Sequence, residues 1–135
     1  MRSVIMEEPG KVVVEDRPMP TLLEPTDAVI KLAASCICGS DLWPYRGAQP
    51  VDHQQMGHEY IGEVIEVGDD VKTVKPGDFV VGSFCISCGE CATCQDGYPS
   101  RCLKAIAAGD GFIGMRSNGT QAEYARIPFR RRHFG

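Results

Sequence analysis

Five of the seven cysteines in this chain fall within eighteen consecutive residues. A tetrahedral zinc site needs four soft ligands that converge from short loops, and a C-x2-C-x2-C series followed by a further cysteine supplies them at workable spacings. The segment therefore predicts a bound zinc ion. Because four thiolates leave no coordination position open, this zinc is expected to be structural. The five residues are Cys85, Cys88, Cys91, Cys94 and Cys102.

Spacing alone leaves two ligand sets open, since Cys85 begins an unbroken series that also supplies four thiols. We favour the set of Cys88, Cys91, Cys94 and Cys102, and interpret Cys85 as a spare thiol, although it could compete for zinc. A disulfide framework is the rival interpretation. The odd number of cysteines argues against it, as does the lack of a charged segment followed by an apolar one after Met1.

Length and composition indicate one ordinary globular domain. The chain has 135 residues, of which 43% are hydrophobic and 24% charged. Its net charge of −4 argues against a nucleic-acid partner, because such a protein must neutralise phosphates. No apolar run approaches the roughly 18 residues that span a bilayer. We therefore expect a soluble, cytoplasmic protein without a membrane partner, and interpret Arg130–Arg132 as a solvated tail.

Short β-branched and alternating segments dominate the chain and predict strands. Proline and glycine turns separate them, as at Pro9–Gly10 and Pro76–Asp78. Short helices are expected after Ser40 and within the cysteine-rich segment. This pattern predicts a mainly β fold, a small barrel or sandwich, with a cysteine-rich excursion. The predicted strands are Lys11–Glu15, Ala28–Leu32, Tyr60–Val67, Phe79–Val81 and Ala122–Ile127.

A second cluster of reactive residues lies at predicted strand ends. Cys38–Asp41 follows the strand around Ile30, and Gly57–Glu59 opens the next one. A thiolate, an imidazole and a carboxylate that meet there would form half of a catalytic metal site.

At these residues the sequence resembles the zinc-containing medium-chain alcohol dehydrogenases. The segment 57–62, followed by Gly68 and Val71, matches the zinc-site signature of that family at every defined position. The resemblance covers essentially residues 1–127 and implies the catalytic half of the family, a GroES-like, partly open β-barrel with a structural-zinc lobe at about 85–117. Segments 38–41 and 75–78 and the cysteine loop also follow the order and spacing of the family.

The resemblance implies roles for four residues. Cys38 and His58 would ligate a catalytic zinc, with Glu59 alternately ligand and neighbour, and Ser40 would bond the substrate hydroxyl and pass its proton outward. Asp41 could fix the tautomer of His58. Ordinary alternatives exist, since Ser40 could cap a turn and Glu59 could be a surface carboxylate.

Other residues near this cluster carry weaker signals. Cys36 is expected to be a small buried hydrophobe. Trp43 and Tyr45 could line a substrate pocket or pack against the barrel. His53 could relay protons, but a solvated histidine in a polar loop is the simpler interpretation.

The dinucleotide-binding half of the family has no counterpart in the sequence. Residues 109–114 match G-x-G-x-x-G in letters, but they lack the strand and helix that make such a motif functional. The resemblance ends after Pro128, and residues 129–135 look like an atypical tail. We therefore expect one domain over 1–128, no Rossmann domain, and a truncated chain.

Two function classes follow. The first is the zinc-binding half of an alcohol or aldehyde dehydrogenase that uses NAD(P), inactive as the isolated chain. The second is a non-catalytic zinc-binding structural or interaction fragment. Small alcohols or aldehydes are the expected substrates. Self-association is expected through the surface that a Rossmann domain normally covers.

Overall fold

The computed structural model describes residues 1–107 and 119–128. In these ranges the chain forms seven β-strands, three short α-helices and two 3-10 helices, the latter at Gly39–Asp41 and Pro99–Arg101. The strands are β1 (Arg2–Glu8), β2 (Lys11–Asp16), β3 (Asp27–Ser35), β4 (Gln54–Gln55), β5 (Tyr60–Val67), β6 (Phe79–Gly82) and β7 (Tyr124–Pro128), and the α-helices are α1 (Leu42–Tyr45), α2 (Ala92–Gln95) and α3 (Leu103–Ala107).

Three strands form a first sheet in the order β2-β1-β4. β1 and β2 make a hairpin whose turn contains Gly10 at φ 79°, a left-handed conformation that favours glycine. On its other edge β1 pairs with β4, with Ile5 opposite Gln55 and Met6 opposite Gln54. Since Ile5 and Met6 are at most 1% exposed, the backbone of β4 is anchored to a buried strand.

The second sheet is antiparallel and has the order β6-β5-β3-β7. Alternation along β5 directs Tyr60, Gly62 and Val64 inward, as expected for a strand with one buried face. Two register shifts interrupt the pairing of β3 with β5. The buried core of this sheet consists of Ala28, Ile30, Tyr60, Val64, Val80, Ile86, Ala125 and Ile127.

Close strand packing requires a glycine at position 62. A Cβ placed there would overlap the carbonyl oxygen of Lys31 and crowd the side chain of Ile30. The glycine thus allows β3 and β5 to approach each other in the middle of the sheet.

The mainly β architecture and all five predicted strands are confirmed, with shifts of at most a few residues at their ends. Ala122 forms only an isolated bridge to Ser3 ahead of β7. The predicted helices correspond to α1 and to α2 with α3. In the described ranges the two sheets do not close into a complete barrel, in agreement with the partly open barrel.

Some predictions concern residues outside the described ranges. These are the glycine motif at 109–114, the tail at 129–135 and the last part of the lobe at about 85–117. Among the described residues, no helix has the length and apolar character needed to cross a membrane.

Candidate active site and metal centres

Sheet topology brings the two reactive segments together. β3 ends at Ser35 and β5 begins at Tyr60, and these two residues pair across the antiparallel ladder. The segment that leaves β3 and the segment that enters β5 therefore lie side by side. They line a cavity of about 640 Å³, to which Cys38, Ser40, Asp41, His58 and Glu59 all contribute.

Gly57 shapes the entry to β5. Its φ of 100° lies in the left-handed region, and a Cβ there would overlap the backbone of Gln121 and the hydroxyl of Thr120. Both neighbours bond to this turn: the Thr120 N–H donates to the Gly57 carbonyl at 3.1 Å and the Gln121 N–H to the Met56 carbonyl at 3.0 Å. The turn that presents His58 is thus fixed by the segment before β7.

Cys38 lies in a turn that favours its thiolate. The Ser40 hydroxyl, and after it the Ser40 backbone N–H and the His58 ring, hold the pKa of Cys38 below its ordinary value. The Cys38 backbone N–H donates to Asp41 Oδ2 at 2.8 Å, which closes the turn. A lowered thiol pKa suits a metal ligand, because the thiolate is the binding species.

His58 contacts a different partner with each ring nitrogen. Its Nε2 lies 3.3 Å from Ser40 Oγ, and its Nδ1 lies 3.5 Å from Asp41 Oδ1. Both the imidazole and the Asp41 carboxyl are largely buried, with side chains 19% and 10% exposed. The Phe84 ring packs edge-on against the imidazole, with the two ring centroids 6.4 Å apart. The expected orienting role of Asp41 is compatible with this arrangement and stays a prediction.

Glu59 lines the same cavity as the other two expected ligands. In the described ranges, two groups have all their potential ligand atoms within 4.8 Å of one another, and Cys38, His58 and Glu59 are not one of them. A thiol, an imidazole and a carboxyl around one cavity nevertheless form a donor set that zinc accepts. Zinc ligation by these three residues stays a prediction.

The cysteine-rich segment forms a compact donor cluster. The Sγ atoms of one quartet all lie within 4.8 Å of one another, and Cys85 is not among them. Burial instead raises the pKa of Cys85, as expected for a neutral thiol. Of the two ligand sets that spacing left open, the geometry favours the one with Cys102. The converging residues are Cys88, Cys91, Cys94 and Cys102.

Backbone N–H groups point at the two buried sulfurs of this cluster. Cys88 Sγ accepts from Glu90 at 3.4 Å and from Cys91 at 3.3 Å, and Cys102 Sγ accepts from Cys88 at 3.3 Å and from Ala105 at 3.4 Å. Such donors stabilise negative charge on sulfur. The segment is therefore arranged for thiolates and fits a zinc ion with four sulfur ligands.

The other two thiols of the cluster differ in their surroundings. The Thr93 hydroxyl lowers the pKa of Cys91 to about 5, whereas burial raises that of Cys94 to about 11. Thr93 Oγ1 also lies 2.9 Å from the Arg101 carbonyl oxygen, and this contact joins α2 to the turn that carries Cys102.

Four weaker expectations can be located. Cys36 is exposed, so its expected burial is wrong: it lies just beyond the end of β3, outside the packed face of the sheet. Trp43 and Tyr45 are 59% and 42% exposed, and the residue between them, Pro44, lines the cavity. His53 bonds Glu15 through Nε2 at 3.1 Å and is absent from the cavity wall.

The sequence pattern does not predict a place at this site for three amide side chains. Gln49, Gln54 and Gln55 line the same cavity as the reactive residues. The available signal was their position, in a polar loop that leads directly into the Gly57 turn.

Comparisons with known proteins identify the family of this chain. The family model described as the alcohol dehydrogenase GroES-like domain matches residues 24–133. The zinc-type alcohol dehydrogenase B of Aspergillus flavus is 46% identical over 129 residues, which is 95% of this chain and 29% of that protein. The glutathione-independent formaldehyde dehydrogenase of Pseudomonas aeruginosa is 36% identical over 140 residues, covering 95% of this chain and 35% of that protein.

Solved structures are also similar over nearly the whole chain. The alcohol dehydrogenase TADH from Thermus sp. ATN1 superimposes with a TM-score of 0.78 at 36% identity, over 96% of this chain and 38% of that one. The E. coli alcohol dehydrogenase rspB, solved with its cofactor NADH, gives 0.75 at 31% identity, over 95% and 36%. The chain thus spans about a third of the length of these relatives. It belongs to the zinc-type alcohol dehydrogenases and carries their GroES-like domain.

Proposed function

We propose that this chain supplies the zinc-binding and substrate-binding half of an alcohol or aldehyde dehydrogenase that uses NAD or NADP as hydride acceptor. The observation that carries the proposal is the contact of Ser40 Oγ with His58 Nε2 at 3.3 Å, beside Cys38 in a cavity of about 640 Å³. A thiol, an imidazole and a hydroxyl are the groups that zinc-assisted alcohol oxidation requires.

In this proposal Cys38 and His58 would hold a zinc ion at the cavity that they line, with Glu59 as a neighbour. When bound, zinc supplies a Lewis acid that lowers the pKa of an alcohol hydroxyl. Ser40 accepts the hydroxyl proton and passes it toward solvent, and Asp41 keeps the His58 ring in place. A second, structural zinc is assigned to Cys88, Cys91, Cys94 and Cys102, whose sulfurs already converge.

We also propose that the 135 residues alone neither bind a nicotinamide cofactor nor turn over alcohols. No dinucleotide-binding βαβ unit occurs among the described residues. Hydride transfer needs the donor carbon and the acceptor ring held together, and such positioning accounts for about 7 to 11 kcal/mol of a barrier.

Joining this chain to the nucleotide-binding part of a relative tests the proposal. The joined protein should oxidise short alcohols with NAD(P), and C38S should abolish turnover while C36S, a change to an exposed thiol two residues away, should not. Turnover that survives C38S would refute the assigned site. Calorimetric titration of the isolated chain with NAD and NADH should show no binding, and a measurable affinity would overturn the proposed inactivity.

A second candidate role is that of a zinc-binding interaction fragment. Phe79 and Val81 are 64% and 62% exposed and lie two residues apart on β6, which is an edge strand of its sheet. An apolar face on an open edge favours self-association. Sedimentation should show oligomers that F79S with V81S dissociates, and a monomer at high concentration would exclude this role.

A further inference from the structure

We propose that Gln55 selects alcohols that carry a second oxygen, such as vicinal or 1,3-diols, over plain alcohols of the same carbon number. The inference rests on the proposed function, because it takes the Cys38–His58 side of the cavity as the place where the reacting hydroxyl binds. It adds a substrate class and a residue that determines it.

Gln55 lies close to the place where the reacting hydroxyl is proposed to bind. Gln55 lines the same cavity as Ser40 and His58. It precedes His58 by three residues, so the two Cα atoms are at most about 11 Å apart even in a fully extended chain. A ligand with one end at His58 therefore needs only a few carbon atoms to bring a second polar group to the Gln55 amide.

The backbone of Gln55 is held in place by its neighbours. The Gln55 backbone pairs with that of Ile5, which is fully buried, and the next residue, Met56, donates its N–H to the Val4 carbonyl at 3.1 Å. Gln55 is itself half-buried, whereas Gln49 and Gln54 on the same wall are exposed. A side chain on an anchored strand makes a more precise binding group than one on a free loop.

The side-chain amide of Gln55 can form hydrogen bonds with a ligand. An amide offers two N–H donors and a carbonyl acceptor, and no hydrogen bond joins the Gln55 side chain to any residue in the described ranges. Most of the remaining wall is apolar, with Met6, Val51, Met56 and Phe84. In such a cavity a few polar groups fix the orientation of a ligand and determine specificity.

The size of the effect follows from one added hydrogen bond. A neutral hydrogen bond contributes about 1 kcal/mol net, so a diol should bind about fivefold more tightly than the matching mono-alcohol. A mono-alcohol would place its hydrocarbon chain beside the half-buried Gln55 amide and leave that amide unpaired. This increases the preference for the diol over the mono-alcohol.

The experiment is an NMR titration of the zinc-loaded 135-residue chain with propan-1-ol and with propane-1,2-diol. Both alcohols should shift the backbone amide signals of Ser40 and His58. Only the diol should shift the side-chain NH₂ signals of Gln55, and its dissociation constant should be about fivefold lower. In Q55M, which keeps the side-chain length, the ratio of the two constants should fall to about one, while Q95M, an exposed control on α2, should keep it.

The outcomes separate the two proposals. If both alcohols shift Ser40 and His58 but the diol has no affinity advantage or leaves the Gln55 NH₂ signals unmoved, the inference is wrong and the proposed function stands. If neither alcohol shifts Ser40 or His58, both are overturned. The unmodified chain reports on the Gln55 amide directly, so the test does not depend on Q55M folding.

Discussion

Arg126 Nη1 lies 3.0 Å from Asp27 Oδ2, and the two side chains are 11% and 1% exposed. The pair joins β7 to the first residue of β3. The same carboxylate oxygen accepts the backbone N–H groups of Leu23 and Glu24, both at 3.0 Å. One buried carboxylate therefore holds a strand edge and the preceding loop together, close to where β3 begins.

Loss of the arginine should destabilise the fold strongly. R126M removes the cation but leaves the Asp27 carboxylate buried, and breaking a buried pair in this way costs about 3 to 5 kcal/mol. Urea unfolding at neutral pH measures the change. The double variant D27N with R126M should recover part of the loss, because the uncompensated charge is gone. A single variant as stable as the parent chain would show that the pair carries no net stabilisation.

The strands that could be predicted are those that a local sequence pattern defines. β5 was predicted with its observed bounds, because alternation and the Gly68 turn define it within a few residues. β1 and β4 were missed: β1 carries little alternation, and β4 is two residues long and exists only because β1 offers an edge. Pairing between distant segments is a tertiary property that no local pattern contains.

The candidate site likewise contains residues that the sequence predicts and residues that only the structure reveals. Cys38, Ser40 and His58 were predictable because the resemblance fixes them, and all three line one cavity. Gln55 was not, since the side that a residue of the short strand β4 faces depends on its pairing with β1. The choice of Cys102 over Cys85 likewise gained support only from the convergence of the sulfurs in space.

Gly62 should be intolerant of even a methyl group. In G62A the new Cβ would meet the Lys31 carbonyl across the ladder, and neither backbone can shift without breaking pairs in the middle of the sheet. We expect a loss of about 1 to 3 kcal/mol, typical of overpacked sites. The control is G39A, where a Cβ meets nothing within 4 Å. Thermal unfolding compares the two, and equal melting temperatures would contradict the steric argument.

The four-sulfur cluster should bind one zinc ion that depends on each of its thiols. C91S removes one ligand, so elemental analysis of metal-replete protein should show one zinc fewer per chain. C85S is the matched control, because Cys85 lies outside the converging quartet. Full stoichiometry in C91S, or loss of zinc in C85S, would show that the ligand set is assigned wrongly.

The two proposed zinc ions should differ in affinity. Cys38, His58 and Glu59 do not form a tight donor cluster in the described structure, whereas the four sulfurs do. Increasing chelator concentration should therefore strip the cavity zinc first. Zinc release should be biphasic, with the early phase absent in C38S and the late phase absent in C91S. Simultaneous release of both ions would contradict this order.

Glu123 should make part of the stability depend on pH. The backbone N–H of Arg2, at 2.8 Å, and then the Arg2 guanidinium hold the pKa of Glu123 below its ordinary value of 4.5. A carboxyl with a depressed folded-state pKa stabilises fully above its unfolded pKa. That stabilisation is lost as the pH falls below about 4.5 and through the lower folded-state value. The parent chain should thus be more stable than E123Q at pH 7. This difference in stability, called the gap below, should disappear at acidic pH.

Urea midpoints of the parent chain and E123Q, measured from pH 7 to pH 3, test this dependence. The control is E66Q, since Glu66 is an exposed residue of β5 that makes no ion pair with any residue the structure describes. The gap between the parent chain and E66Q should change little over the same range. R2Q should reproduce only part of the effect of E123Q, because the Arg2 backbone N–H still donates to the carboxylate. A gap between the parent chain and E123Q that stays constant down to pH 3 would show that the Arg2 contact does not shift the titration of Glu123.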